Sequence, residues 1–302
     1  MSIIARLLVD PYHFPFMRRA LVELALLGVL GGVVGVHVQL RRMAFLTEAL
    51  QHTIFPGIAI AFVAGSSLMV GALVAAGLTV ALLAGLSDHL RTEPDAVLAL
   101  LIVTFFALGV AVVSHRSGYT HDLDQLLFGR ILAVNRGQIL ATVLVGAIVM
   151  IGVAALHKEL VLAALDRTQA AALGYRVGLL DVAMNVAVAL TVVVAVRAVG
   201  TVLVVAFVVT PAATARLLTW SIPGAMAVAA SLAVVLAWVG LSASFEASVH
   251  HGVRLAAGAT VVIAFTAGFC LLGLGSLAVR RLRHRSGSLR PGPAVRVDGG
   301  TA

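Results

Sequence analysis

Charged residues are scarce in this 302-residue chain, where Asp, Glu, Lys and Arg together make up 11% of the residues. An average soluble domain is about a quarter charged, so this composition excludes an ordinary soluble globular protein. Apolar residues take the place of the missing charge: 61% of the chain is hydrophobic and the mean hydropathy is +1.09. Apolar runs long enough to cross a bilayer of about 30 Å recur along the whole chain. The sequence therefore predicts a polytopic membrane protein.

Three further absences narrow the class. The single cysteine, Cys270, excludes a disulfide within the chain and a cysteine-based metal site. Strands of alternating polarity rich in aromatic residues are missing, which excludes a membrane barrel and predicts an all-α bundle. The chain contains neither the nucleotide-binding pattern G-x-x-x-x-G-K-[ST] nor H-E-x-x-H or a Ser/His/Asp set. We therefore predict that it is not an enzyme and hydrolyses no ATP itself.

The positive charge of the chain lies in its loops and in one tail. The net charge is +8, and the last apolar run is followed by "RRLRHRSGSLRPGPAVRVDGG". A basic cytoplasmic anchor explains this tail better than a nucleic-acid arm does, so we expect no nucleic-acid partner. We predict an N-terminal segment at 1–15 without a removable signal peptide, a membrane domain at 16–280 and a disordered basic tail at 281–302.

The apolar segments predict eight or nine transmembrane helices. They fall at about 20–40, 50–66, 68–87, 96–114, 137–157, 178–197, 199–219, 223–243 and 254–279. The second segment contains Pro56 and Gly57, which predict a broken helix that either crosses the membrane or dips back. Loop arginines place Arg41, Arg42, Arg91 and residues 158–176 on the cytoplasmic side. The side of the N-terminus stays open, because it depends on whether the second segment crosses.

A short cytoplasmic helix is predicted in the loop before the sixth segment. The stretch "DRTQAAALGY" begins with Asp166, a residue type that caps helix N-termini, and reaches Gly174, which is typical of a helix C-cap. Such a helix between two spanning helices fits docking to a soluble partner, and an ordinary interfacial helix is the alternative.

Four stretches of the chain, in order, resemble the permeases of manganese, zinc and iron ABC importers. They are "MRRALVELALLGVLGGVVGVHVQLRRMAFLTEALQHTIFPGIAIAF", "GYTHDLDQLLFGRILAV" in an outer loop, "LDRTQAAALGYRVGLLD" in the cytoplasmic loop and "AVGTVLVVAFVVTPAATARLLT" in a late helix. The resemblance covers nearly all of residues 15–280. Glu48 departs from it, since an aspartate is usual at this position in the family.

The resemblance implies a multi-pass permease subunit in the plasma membrane with no cofactor of its own. It implies partners: an extracytoplasmic metal-binding lipoprotein that delivers the ion, a pair of ATPase subunits that bind ATP, a second permease copy or a sister permease, and membrane lipid. It also implies that the cytoplasmic helix is the ATPase coupling helix, formed by Asp166, Ala171, Ala172, Leu173 and Gly174. The transported ion, Mn, Zn or Fe, and the choice between a homodimer and a heterodimer stay open.

Glu48 and His52 are the candidate residues of the metal pathway. They are four positions apart, so on a helix their side chains share a face. A carboxylate and an imidazole suit Mn²⁺, Fe²⁺ and Zn²⁺, and a site of only two donors binds weakly enough to release a passing ion. Pro56 and Gly57 then break the helix at the pathway. The alternatives are a solvated salt-bridging face beside Arg41 and Arg42, and an ordinary packing kink at Pro56.

An outer metal-collecting patch of Glu246, His250 and His251 is a further hypothesis. The neighbouring histidines point in different directions on a helix, which weakens it. Two other functions also stay open: a permease for vitamin B12 or iron-chelate complexes, and an intramembrane enzyme or ion-coupled carrier in which Glu48 takes up protons.

Overall fold

The computed structural model describes residues 10–90, 93–114, 131–250 and 256–287, and within these ranges the chain is helical without a strand. Short 3-10 turns occupy Asp10–His13 and Ile131–Ala133. The α-helices are α1 Pro15–Leu40, α2 Ala44–Thr53, α3 Phe55–Val63, α4 Leu68–Leu90, α5 Pro94–Val113, α6 Arg136–Ala155, α7 His157–Leu165, α8 Arg167–Ala172, α9 Val177–Val199, α10 Thr201–Leu218, α11 Ile222–His250 and α12 Ala257–Gly287.

Eight of these segments are long and apolar enough to cross a membrane, with α2 and α3 counted together as one 20-residue segment, Ala44–Val63. The shorter α10 runs beside α1 in the same direction, since Phe207 lies against Gly31 and Ala212 against Gly35. Helix α10 therefore carries the chain from one end of the bundle to the other and makes a ninth pass. The predicted all-α bundle of eight or nine membrane helices is confirmed.

Helix α1 lies at the centre of the bundle and packs closely on α10 and α11. Gly28 and Gly32 meet Ala233 and Ala230 of α11, while Gly31 and Gly35 meet the backbone of α10. Small residues let helix backbones approach each other in a membrane, where dispersion contacts rather than water exclusion hold helices together. This glycine row thus fixes the α1–α10–α11 core.

The break in the second membrane segment lies at Ile54, two residues before the proline predicted to cause it. Pro56 stands in the first turn of α3. Because proline has no N–H and its ring crowds the carbonyl one turn earlier, the interruption falls on its N-terminal side. Gly57 lies against Gly71 and Ala75 of α4 and permits close α3–α4 packing.

At one end of the bundle, α7 and α8 cover the ends of α1 and α9. The Asp166 side chain accepts a 2.9 Å hydrogen bond from the backbone N–H of Gln169 and caps α8. Gly174, with φ of +86°, follows the helix in the left-handed conformation that glycine tolerates. The predicted N-cap at Asp166 is confirmed, whereas the C-cap is Leu173 and Gly174 follows it by one residue. We call this end, with α8, the inner end and the opposite one the outer end.

Two segments are more helical than the sequence predicts. Helix α11 continues to His250 instead of ending near 243, and its outer half is tied down by Tyr12, which is hydrogen-bonded to Ser242 at 2.9 Å. Helix α12 reaches Gly287, so residues 281–287 are helical where the sequence predicts disorder. Arginine and leucine in this stretch are good helix formers.

Candidate metal pathway

Glu48 and His52 share one face of α2, as their spacing predicts. Nε2 of His52 lies 3.4 Å from Oε1 of Glu48. Their side chains are 39% exposed for His52 and 48% exposed for Glu48, so the pair opens to the outside of the single chain and is not enclosed by it. The two donors are therefore accessible for a ligand or for a partner chain.

Gln51 belongs to the same polar group, although sequence reasoning did not select it. Its Nε2 donates a 3.1 Å hydrogen bond to Oε2 of Glu48 and reaches the carbonyl oxygen of Thr47 at 3.4 Å. One carboxylate oxygen of Glu48 thus faces the amide and the other faces the imidazole. The i, i+3 spacing of Glu48 and Gln51 is a signal that could have revealed this contact.

Aromatic side chains lie beside the Glu48–His52 pair. The His52 ring meets Phe106 of α5 edge to face, with 6.2 Å between the ring centroids, and Phe106 also contacts Phe55 at 5.7 Å. Phe106 is itself 48% exposed. The polar pair therefore lies on an open face of α2, α3 and α5 with apolar surroundings; we call this the α2–α5 face.

The alternative, a salt-bridging face at Glu48 and His52, does not draw on Arg41. Arg41 turns away from α2, and its Nη1 donates a 2.7 Å hydrogen bond to Oδ1 of Asp181. Burial lowers the pKa of the Arg41 guanidinium from its ordinary value, while the charge and hydrogen bond of Asp181 oppose that shift. Glu48 is consequently left to His52 and Gln51.

The number of donors on one chain is small. Within the described residues, no three His, Cys, Asp or Glu side chains come close enough to hold a metal ion together. A carboxylate and an imidazole fit a divalent transition metal chemically, and two donors alone leave most of its coordination positions for water or for other ligands.

Two buried polar residues of α1 lie away from the α2–α5 face. Glu23 is fully buried and accepts a 2.6 Å hydrogen bond from Thr142 of α6. His37 is also fully buried, and its ring packs edge to face on His157 at 5.5 Å. Their burial makes both residues part of the helix packing.

The coupling segment is exposed at the inner end. Ala171, Ala172 and Gly174 are exposed, and so are the apolar side chains of Leu173 and Tyr175. The outer patch is only partly visible: Glu246 is on α11, whereas the side chain of His250 and all of His251 lie outside the described part of the chain. The outer-loop motif at 118–134 also falls largely outside it.

Known membrane proteins are similar to this chain over most of its length. The manganese transport system membrane protein MntC of Halalkalibacterium halodurans is 32% identical over 251 residues, 83% of this chain and 86% of that protein. The chelated iron transport system membrane protein YfeD of Yersinia pestis is 28% identical over 247 residues, 82% of this chain and 82% of that protein.

A solved structure, PsaBC from Streptococcus pneumoniae in complex with Fab, superposes with a TM-score of 0.77 at 28% identity, covering 89% of this chain and 95% of that one. The family model described as ABC 3 transport family matches residues 13–274. That match starts before α1 and ends within α12, so it takes in the α2–α5 face and the exposed α8 alike. The chain therefore belongs to the ABC 3 transport family.

Proposed function

We propose that this chain is the membrane-spanning permease subunit of an ATP-driven importer for a divalent transition metal, Mn, Zn or Fe. The observation that carries the proposal is the Glu48–His52 pair, held on an open face of a membrane helix in a chain of this family. An ionisable residue within a membrane segment costs about 2.5–3.5 kcal/mol on insertion scales, so its presence points to function.

The proposed pathway needs a second permease. One chain supplies a carboxylate and an imidazole on the α2–α5 face, and a second copy or a sister permease covering that face would double the donors. Four donors suffice to replace most of the water around a transition-metal ion, while shared weak contacts still let it leave. The exposure of Phe106 beside the pair, with Phe55 half-buried against it, fits a surface that a partner covers.

The proposed ATPase partner docks on α8. The full sequence has no nucleotide-binding pattern of its own, and the residues directly after α8 include two exposed apolar side chains, Leu173 and Tyr175, at the inner end. Apolar side chains exposed beside a short capped helix are typical of a protein contact. In this arrangement Asp166 and Gly174 set the ends of the docking helix, Ala171 and Ala172 lie on its surface, and ATP is bound by the partner. The inner end then faces the cytoplasm, and an extracytoplasmic metal-binding lipoprotein delivers the ion at the outer end.

The test is uptake of radiolabelled Mn²⁺, Zn²⁺ and Fe²⁺ by cells expressing the complete importer, normalised to permease abundance in the membrane. Glu48→Gln and His52→Ala should each remove most uptake, because a neutral amide or a methyl group binds a divalent cation far more weakly than the natural donor. Glu48→Asp should retain much of it, since a carboxylate remains.

The matched control is Gln51→Ala, which removes a neighbour of Glu48 but no metal donor of the proposed pair, and we expect a smaller loss. Uptake of vitamin B12 or of an iron chelate in place of the free ions would transfer the chain to the alternative permease class. Uptake per molecule equal to wild type in Glu48→Gln would refute the pathway.

A further inference from the structure

Asp181 is hydrogen-bonded to two arginines, Arg41 just after α1 and Arg167 at the start of α8. Its Oδ1 accepts hydrogen bonds from Nη1 of Arg41 at 2.7 Å and from Nη1 of Arg167 at 3.3 Å, and its Oδ2 accepts one from Nη2 of Arg167 at 2.7 Å. Arg167 thus grips the carboxylate with both terminal nitrogens, the two-pronged geometry that gives the strongest and most directional ion pairs.

The Arg41 side of this cluster fixes the turn that leads into α2. Arg41 directly follows α1, and Arg42 beside it adopts φ of +58°, a left-handed conformation that a residue with a side chain holds only when its surroundings impose it. Nη2 of Arg41 also donates to the carbonyl oxygen of Leu160 in α7. The direction in which α2 leaves α1 therefore depends on what holds Arg41.

The Arg167 side of the cluster belongs to α8. Arg167 is the first residue of that helix, and its side chain is 66% exposed, whereas Arg41 is only 6% exposed. A displacement of α8 is thus passed first to Arg167, then to the carboxylate of Asp181 on α9, and from there to the buried Arg41. Each step in this chain is a hydrogen-bonded contact between charged groups.

The surroundings of the cluster leave room for movement. Arg41, Arg167 and Asp181 line a cavity of about 710 Å³ at the inner end, which Ser87 and Asn185 border as well. The cluster holds two positive charges against one negative charge. Asp181 is what keeps both guanidinium groups together; without it they repel each other, and Arg41 stays buried with the Leu160 carbonyl oxygen as a partner but without a counter-charge.

We propose that Asp181 is a positioning residue that transmits the movement of α8 to the α1–α2 turn, and thereby sets the placement of Glu48 and His52 on the α2–α5 face. This inference rests on the proposed function, because it takes α8 as the ATPase-docking helix and the α2 pair as the metal pathway. It assigns the coupling between the two sites to a contact within one chain.

The first test is Arg167→Gln in the complete importer reconstituted in liposomes with its ATPase and binding protein. This variant cuts the link to α8 yet leaves the buried Arg41–Asp181 pair intact, so it should fold and assemble. We expect the number of Mn²⁺ ions transported per ATP hydrolysed to fall about 5-fold or more, the range typical of energetic coupling between sites. Lys158→Gln, an exposed charge with no ion-pair partner in the described residues, is the control with an unchanged ratio.

A second measurement separates action through Asp181 from a direct contact between Arg167 and the ATPase. If Arg167 acts through Asp181, the double variant Arg167→Gln/Asp181→Asn should couple no worse than Asp181→Asn alone, because the same link is already cut. Asp181→Glu should recover much of the ratio, since it restores a carboxylate between the arginines. Additive losses in the double variant would overturn the inference.

Failure of this inference can be told apart from failure of the proposed function. If the wild-type complex transports no metal ion, the proposed function is refuted, and if Glu48→Gln transports it as well as wild type, the proposed pathway is refuted. If wild type transports metal through Glu48 while Arg167→Gln keeps the wild-type number of ions per ATP, only the role of Asp181 is refuted.

Discussion

Helices α1 and α2 lie on either side of one turn, at Arg41–Met43, and differ in what surrounds them. Helix α1 is enclosed by α10 and α11, and its glycines touch neighbouring backbone directly. Helix α2 keeps Glu48 and His52 half-exposed, on a side that the described helices cover only in part. In α1, glycines allow close helix packing because they lack side chains. In α2, the part-exposed side chains of Glu48 and His52 are the candidates for function.

This difference predicts that substitutions in α1 change the stability of the protein, whereas substitutions on the α2–α5 face change transport. A larger residue in the α1 core must displace backbone, so it should lower the amount of folded protein. A polar substitution on the α2–α5 face removes no packing and should lower uptake at normal abundance. The substitutions below test which residues affect stability and which affect transport.

Gly35→Leu should have the largest effect. A Cβ at Gly35 would overlap the carbonyl oxygen of Val208, and backbone in α10 cannot yield as a flexible side chain can. We expect a loss of about 3 kcal/mol or more in stability and little monodisperse protein in detergent. Gly77→Leu is the control, because nothing lies within 4 Å of its Cβ position. Size-exclusion profiles and melting temperatures of both variants check this, and a wild-type profile for Gly35→Leu would contradict the packing of the core.

Pro56→Ala should separate stability from uptake most clearly. Alanine supplies the N–H that proline lacks and should join α2 and α3 into one straight helix, so the melting temperature should stay level or rise. Straightening the segment should change the direction in which Glu48 and His52 point. We therefore expect uptake per molecule to fall about tenfold, which corresponds to a barrier higher by about 1.4 kcal/mol.

Pro94→Ala serves as the control for that variant, since Pro94 begins α5 and has no earlier helical turn to bond with. Metal uptake and melting temperature are measured on the same preparations. Undiminished uptake in Pro56→Ala would show that the break at Ile54 serves packing alone.

Glu23→Ala should lower stability by a smaller amount. It leaves the buried Thr142 hydroxyl without the carboxyl oxygen that now accepts its hydrogen bond, at a cost of about 1–3 kcal/mol. Glu23→Gln retains an acceptor oxygen and should melt close to wild type. If Glu23→Gln instead abolished uptake at an unchanged melting temperature, the residue would belong to the pathway and not to the core.

The double variant His250→Ala/His251→Ala should have the smallest effect. A collecting patch outside the pathway raises the local ion concentration without limiting passage, so only the metal concentration for half-maximal uptake should rise. We expect about a twofold change, because salt screens exposed charges. A concentration series of uptake measures this, and complete loss of uptake at normal abundance would place the two histidines in the pathway itself.

Much of the candidate site could be predicted from residues that are close together in the sequence. The i, i+4 spacing of Glu48 and His52 requires only that α2 be helical, and the caps at Asp166 and Gly174 depend on a few neighbouring residues. Gln51 was missed even though its contact is equally local. The pairing of Glu23 with Thr142 joins residues 119 positions apart, and that of Arg41 with Asp181 joins residues 140 apart, which no local pattern reveals.

The sequence by itself determined the class of this protein, the number of membrane passes to within one, the basic inner end and the two donors on one helix face. These properties depend on hydropathy and on helical geometry within a few turns. Only the tertiary structure decided that the second segment breaks at Ile54, that Arg41 pairs with Asp181 and not with Glu48, and that the α2–α5 face stays partly open among the described helices. Those outcomes depend on which distant helices pack together, because glycines on α1 bring α10 and α11 in, while Glu48 and His52 lie on the half-exposed side of an otherwise largely buried α2.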